Sequence, residues 1–409
     1  MDYSGALKII SQPIRATELP HTLDPMKRLL AAVDNPERAY PCMVVAGSVG
    51  KGTTCHQIAS LMNDHVKVGL YTSPHLHSFR ERFSINGKHI SQTEFITGVE
   101  IVQEAAVQLD THYSTFELAT ALALYWFRQQ KVDIAVLEIG IGGRYDAVNA
   151  VTNTLAVITP IEREHAAMLG GTLTSIATHK AGIIQPHGYA IAAPQVPEVE
   201  TVLRHEAISQ QANLSFEPIE SLAVAACANL MQRHIIADYL LPLMSPPVHL
   251  AGRMEQIEQD DKTLLIDGAH TPTSARHLRA AIYQIAPASS VSLIIGMLRD
   301  KSVQDFLAEF DSPNFYITLT QTSNHRALTT DEIQQTAALE HASISIQPDL
   351  QTAIHNAIQD TNPLIVITGS LRVAALAREM LGQLDEDELE EAHITRAIFE
   401  GKNYLSKLP

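Results

Sequence analysis

Met43-Val-Val-Ala-Gly-Ser-Val-Gly-Lys-Gly-Thr-Thr54 is a short apolar run that turns through glycines into a lysine, two threonines and a helical pattern. That order suits a phosphate-binding loop. Glycines let backbone N–H groups close on phosphate oxygens, a lysine reaches the outer phosphates, and a Ser or Thr hydroxyl reaches Mg²⁺. The next helix offers its positive N-terminus. A strict P-loop would carry glycine at Val45 and Ser or Thr at Gly52; here the pattern is G-x-x-G-K-G-T, from Gly47 to Thr53. By itself it also reads as a tight strand-to-helix turn beside a surface lysine. The candidate phosphate contacts are Gly47, Ser48, Gly50, Lys51, Gly52 and Thr53.

Apolar runs at Cys42–Ala46, Lys67–Tyr71, Ile134–Ile139, Leu155–Thr159 and Tyr189–Ala193 predict strands. Helical periodicity at Gln57–Asn63, Glu94–Leu109, Thr115–Gln130 and Leu173–Ala181 separates most of them. Asn86-Gly87 between Arg80–Ile85 and His89-Ile90 predicts a hairpin. Strands alternating with helices predict a doubly wound α/β fold, mostly parallel, with ligands at the carboxyl ends of the strands. Helical stretches are expected around Val199–Ala212 and Leu222–Leu240, and prolines at 242, 246 and 247 then break the pattern. A smaller Rossmann-like α/β domain follows, with strands at Leu264–Asp267, Val291–Gly296, Phe315–Leu319 and Leu364–Thr368. The expected domains are residues 1–247, 248–383 and an acidic tail, 384–409, whose Asp385–Glu391 reads as a solvated helix face. The closing residues, including Tyr404 and Leu405, are candidates to dock on the body or on a partner.

The chain has 409 residues and a formal net charge of −16, which argues against a nucleic-acid surface. Three cysteines without a CxxC pair argue against a disulfide framework or structural zinc, and for a reducing compartment. The start reads as no signal peptide, and no run approaches the length of a membrane span. The expectation is a cytoplasmic protein with no membrane association.

Thr53, Ser73, Glu138 and His165 all follow or end expected strands. Glu138 is a lone acid in an apolar run, costly to bury unless it meets a cation; Mg²⁺ on nucleotide phosphates would serve, since it prefers hard oxygen ligands. A carboxylate capping a nearby turn is the other reading. Lys180, taken alone, reads as a surface lysine. Farther on, Gly252-Arg253 precedes Asp267-Gly268-Ala269-His270, where Asp267 and Arg253 are candidate nucleotide contacts or parts of an ordinary turn.

These segments together resemble the folylpolyglutamate synthase/dihydrofolate synthase family, a branch of the Mur-type ATP-dependent amide ligases. The matching residues run in order: Gly47–Thr53, Thr72–Ser91, Phe116-Glu117, Glu138–Asn149, His165 with Leu169-Gly170, Lys180–Ile183, Gly252-Arg253, Asp267–Pro272, Gly296 with Asp300-Lys301, and Thr368–Leu371. The resemblance implies that ATP phosphorylates a substrate carboxylate and that the amine of L-glutamate attacks the acyl phosphate. It implies Lys51 and the loop at the phosphates, one Mg²⁺ on Thr53, Ser73 and Glu138, and a second on Glu138, His165 and Lys180. Lys180 would be carbamylated, so that it offers anionic oxygens rather than an ammonium. Arg253 and Asp267 would bind ATP, His270 would stand near the reacting groups, and Arg82, Phe116 and Asp146 would contact a pterin-linked acid.

Departures from the family are Ser48-Val49 for Thr-Asn, Thr271 for Asn, His179 for Glu and Glu164 for Asp. The expected protein is a monomeric ATP- and Mg²⁺-dependent ligase joining L-glutamate to dihydropteroate, a reduced folate or both. The alternatives are the same chemistry on a non-folate acid in specialised metabolism, or a nucleotide-binding paralogue without ligase activity.

Overall fold

A computed structural model describes residues 1–11, 22–259, 261–287, 290–299, 301–322, 327–336 and 338–400. Asp300, Tyr404 and Leu405 lie outside the described residues. The chain divides into two compact units, Met1–Val248 and His249–Pro409.

The first unit is built on eight strands: β1 (Cys42–Ala46), β2 (Val68–Tyr71), β3 (Phe83–Ile85), β4 (Lys88–His89), β5 (Ile134–Glu138), β6 (Asn153–Ile158), β7 (Tyr189–Ala192) and β8 (Asn213–Phe216). They lie in the order β4-β3-β2-β5-β1-β6-β7-β8. Only β3, in the β3–β4 hairpin at one edge, runs antiparallel to its neighbours, β2 and β4. β1, β2 and β5 are buried along their whole length, which is why they read as unbroken apolar runs. The register sets Val45 beside Glu138 and Ala46 beside Ile158. Thus the turns after β2, β5, β1 and β6 emerge side by side at one end of the sheet.

Helices pack on both faces. Lys51–Met62 and Leu222–Gln232 share a core with β1, β5 and β6 through Cys55, Ile58, Met62, Ala226 and Leu230. Gln92–Gln108 and Thr115–Gln129 each open on a serine–glutamate capping box, Ser91 with Glu94 and Ser114 with Glu117.

In the second unit β9 (Glu255–Gln259), β10 (Lys262–Ile266), β11 (Val291–Ile295), β12 (Phe315–Leu319), β13 (Ser343–Ile346) and β14 (Leu364–Thr368) form a sheet ordered β13-β12-β11-β14-β10-β9, antiparallel only at β9. The terminal helix, Glu386–Glu400, is joined to the preceding Leu371–Met380 helix by the Arg396–Glu379 ion pair.

Some boundaries differ from the sequence reading. The expected helix at Val199–Ala212 ends at Ser209 and gives way to strand β8. The helix from Leu222 ends at Gln232, well short of Leu240. Phe79–Arg82 is a 3₁₀ turn rather than the start of a strand. Three strands had no expectation at all: β8, β9 and β13. Each stands at a sheet edge and is partly exposed, so its residues lack the apolar continuity that marks the central strands.

Candidate functional site

The Gly47–Gly50 turn leaves β1 with Gly47 at φ 143° and Gly50 at φ 82°, and Lys51 begins the helix. Gly47 admits no side chain, since a Cβ there would lie 1.9 Å from Thr159 Oγ1. The turn is fastened across to the segment after β6. The N–H groups of Ser48 and Val49 donate to the Pro160 carbonyl at 2.9 and 3.3 Å, and Ser48 Oγ exchanges hydrogen bonds with the Glu162 backbone. Lys51, Gly52 and Thr53 are the first helical residues, so their N–H groups lack intrahelical acceptors, an arrangement suited to an anion.

Glu138 is only 4% exposed. Its Oε2 accepts the Ser73 N–H at 2.8 Å, which draws the turn after β2 to the end of β5. A Cβ on Gly52 would lie 3.7 Å from the same oxygen, so the first turn of the Lys51–Met62 helix runs directly beside the carboxylate. The structure therefore gathers the glycine turn, Ser73 and Glu138. Hydroxyl and carboxylate donors of this kind fit Mg²⁺.

Lys180 is 1% exposed rather than on the surface. Its Nζ donates to the Gly47 carbonyl at 2.5 Å and to Glu164 Oε1 at 2.7 Å. Burial pushes its pKa down to about 8, with the Glu164 charge working in the opposite sense. Glu164 loses solvation too, but the charges of Lys180 and Lys51 hold it below the usual carboxylate range. The glycines after Glu138 bring Lys180 here. A Cβ on Gly143 would lie 2.6 Å from the His179 carbonyl, and that carbonyl accepts the Arg144 N–H at 2.8 Å. The Leu173–Ala181 helix thus packs straight onto the Gly142-Gly143 backbone. As an ammonium, Lys180 is a hydrogen-bond donor to the glycine turn and cannot ligate a metal. His165, beside Glu164, is exposed and sits at φ 48°. Among the described residues no three His, Cys, Asp or Glu side chains cluster closely enough to hold a metal by themselves.

Arg82, Phe116 and Asp146 come together around Tyr71, the last residue of β2. The Tyr71 and Phe116 rings are 5.9 Å apart, and the Tyr71 hydroxyl lies near the Arg82 guanidinium. Phe116 covers Gly140 so closely that a Cβ there would lie 2.7 Å from the ring. Asp146 accepts the N–H groups of Gly140 and Ile141, each at 3.1 Å, and of Val148 at 3.0 Å. Burial nevertheless raises its carboxyl to about 7, against the pull of those three donors. Arg82 Nε donates to His75 Nδ1 at 3.0 Å, and its guanidinium lies 4.7 Å over the Phe79 ring.

In the second unit, Asp267 follows β10. It accepts the N–H groups of Met254 and Ala269 at 2.8 Å each, and burial raises its pKa. Arg253, the residue before Met254, is exposed. His270 Nδ1 stands 2.9 Å from the Gly268 carbonyl, and its N–H donates to Ser274 Oγ. Thr271 caps the Pro272–Ile285 helix with Ser274, a role open to threonine as well as to the family's asparagine.

Tyr71, His75 and Pro160 belong to the site without any motif in the sequence that assigns them a role, and Glu164 stands there only as a departure from the family pattern. Glu164 stands next to His165 and His75 two places after Ser73, so position along the chain is a usable signal for both. Pro160 acts through its carbonyl, which no side-chain pattern reports.

With this geometry in hand, comparison with known proteins finds two family models along the chain: the Mur ligase middle domain over residues 45–218 and the Mur ligase, glutamate ligase domain over residues 252–371. The dihydrofolate synthase/folylpolyglutamate synthase of Bacillus subtilis is 29% identical, covering 87% of this chain and 94% of its own length. That of Escherichia coli is 30% identical over 64% of this chain and 69% of its own. The crystal structure of the bifunctional folylpolyglutamate synthase/dihydrofolate synthase from Yersinia pestis, complexed with AMPPNP and Mn ion, superposes with a TM-score of 0.80. It is 25% identical and covers 93% of this chain and 98% of that one.

Proposed function

We propose the function from the premise that this chain belongs to the dihydrofolate synthase/folylpolyglutamate synthase family of Mur-type ligases. It is an ATP-dependent ligase that joins L-glutamate to the carboxylate of dihydropteroate or of a reduced folate. The observation that carries this reading is the convergence of Lys51, Ser73 and Glu138 at the end of one sheet, beside free helix-terminal N–H groups.

The reaction has two steps. A carboxylate oxygen of the acid attacks the γ-phosphorus of ATP, the bond to the β-phosphate oxygen breaks, and ADP leaves. The glutamate amine then attacks the acyl carbon, loses a proton, and displaces phosphate. Lys51 and the N–H groups of Gly50, Lys51, Gly52 and Thr53 hold the phosphates and offset the charge that shifts onto ADP. In the second unit, Arg253 and Asp267 are the residues that would bind nucleotide, and His270 the one that would act near the reacting groups. Phe116, Asp146 and Arg82 bind the pterin end of the acid.

A divalent metal such as Mg²⁺ would supply charge neutralisation on the phosphates; Thr53, Ser73 and Glu138 would hold it, and Glu138, His165 and Lys180, if carbamylated and so released from its ion pair with Glu164, would hold a second. The depressed pKa of Lys180 supports carbamylation, because only the neutral amine adds to CO₂. A carbon-labelled bicarbonate incubation followed by NMR detects the carbamate.

The deciding experiment measures phosphate release with ATP, Mg²⁺ and glutamate, with dihydropteroate or tetrahydrofolate as acid. Release that needs both the pterin acid and glutamate is the expected result. No release with either acid would overturn the reading, and release with one identifies the activity present.

A further inference from the structure

Arg82 is half-buried, yet no carboxylate among the described residues forms an ion pair with it. A guanidinium taken from water without a counter-ion is costly unless its donors meet acceptors. Its neighbours meet part of that need. His75 Nδ1 takes the Nε–H at 3.0 Å, the Phe79 ring lies under the plane at 4.7 Å, and the polar Tyr71 hydroxyl lies nearby.

The backbone prepares this arrangement. The Glu81 carboxylate accepts the N–H groups of Leu76, His77 and Ser78 at 2.7, 2.8 and 2.7 Å, folding the loop against the Phe79–Arg82 turn. His75 and Arg82 then meet across the turn, with the imidazole also against Phe79 at 5.2 Å between ring centres. On the far side, Tyr71 Oη stands 3.4 Å from Thr120 Oγ1, whose hydroxyl donates to the Phe116 carbonyl at 2.8 Å. Hydrogen bonds therefore tie Thr120 to both Phe116 and Tyr71 on one side of Arg82, and Arg82 to His75 on the other.

A guanidinium is planar and turns about its Cδ–Nε bond. An acceptor on Nε–H together with a ring beneath the plane fixes that rotation and aims the remaining Nη donors in one direction. We infer that His75 is a positioning residue: by accepting the Nε–H of Arg82 it orients the guanidinium toward the pterin-linked acid, and so sets affinity for the acid and not for ATP. The inference rests on the proposed function for the identity of the acid.

Three substitutions test it. The Oδ1 of asparagine lies as many bonds from the backbone as Nδ1 of histidine, whereas the Oε1 of glutamine lies one bond farther. His75→Leu raises the KM for the pterin acid about tenfold or more, the loss expected of one hydrogen bond to a charged group, and leaves the KM for ATP within about twofold. His75→Asn restores the acid KM to within about threefold of the parent, and His75→Gln behaves like His75→Leu. An unchanged acid KM in His75→Leu overturns the inference, as does an equal rise in both KM values. If the leucine variant does not fold, the asparagine and glutamine variants carry the test, and equal behaviour of these two overturns it. A second readout needs no turnover. In protein with nitrogen-labelled arginine, the Arg82 Nε–H resonance is protected from exchange in the parent and in His75→Asn, and loses protection in His75→Leu. An unprotected parent signal overturns the inference by itself, whereas failure of the parent to release phosphate counts against the proposed function alone.

Discussion

Lys180 Nζ donates to the carbonyl oxygen of Gly47 at 2.5 Å, so a lysine 133 residues farther along the chain holds the first glycine of the phosphate turn. The same ammonium neutralises Glu164. Replacing it with methionine leaves the carboxylate without its partner in a mostly buried place. Lys180→Met should cost about 2–4 kcal/mol, at the lower end because Glu164 keeps some contact with solvent. The double variant Lys180→Met/Glu164→Gln should recover part of that loss. Denaturant midpoints for the two variants check this; equal losses would refute the pairing.

Asp146 gives a pH signature. Its carboxyl titrates near 7 in the folded chain, where burial favours the neutral form, and near its ordinary 3.8 when unfolded. Between those values the folded state binds the extra proton. This contribution to stability is therefore greatest at low pH and is lost as the pH rises from about 4 to about 7. Urea midpoints across that window should fall more steeply in the parent than in Asp146→Asn, which has no carboxyl to titrate. Parallel profiles would show that Asp146 titrates normally.

In the proposed function Lys51 and Glu138 serve the chemistry more than the fold. Lys51→Ala and Glu138→Ala should each reduce glutamate-dependent phosphate release at least about a hundredfold, the scale of losing one preorganised electrostatic contact to a transition state. Excess Mg²⁺ should not restore Glu138→Ala. Near-normal turnover of that variant would remove Glu138 from the metal site.

Gly47 and Gly50 both have positive φ, but for different reasons. A methyl at 47 would run into Thr159 Oγ1 at 1.9 Å, while nothing lies within 4 Å of one at 50. Gly50→Ala should cost only the backbone penalty, about 1–2 kcal/mol. Gly47→Ala should cost more and displace the turn from Pro160. Thermal melting of the pair checks the ranking, and a smaller loss at 47 would contradict the close approach.

The central strands were legible because burial on both faces leaves mostly apolar residues, as in Cys42–Ala46; the edge strands β8, β9 and β13 were not, because a strand such as Glu255–Gln259 has one apolar residue in five. Glu138 stood out for the same reason that β5 did: one acid ends an apolar run. Lys180 could not be recognised from its own surroundings, since its burial arises from glycines some forty residues earlier that let its helix approach. His75 and Tyr71 gained meaning only when the loop folded back to bring Arg82 between them. Periodicity reports which side of an element is buried; it does not report which distant residue lies opposite.

The Pro160 carbonyl closes the phosphate turn through the N–H groups of Ser48 and Val49. Peptide groups are common to nearly all residues, so this closure survives almost any exchange of side chain at position 49. Valine can stand where relatives of the family carry asparagine, and the turn keeps its shape. Proline is the exception, because it brings no N–H. The residue most visibly altered in the motif is thus one whose side chain the closure does not use, and sequence drift there is a poor measure of drift in architecture.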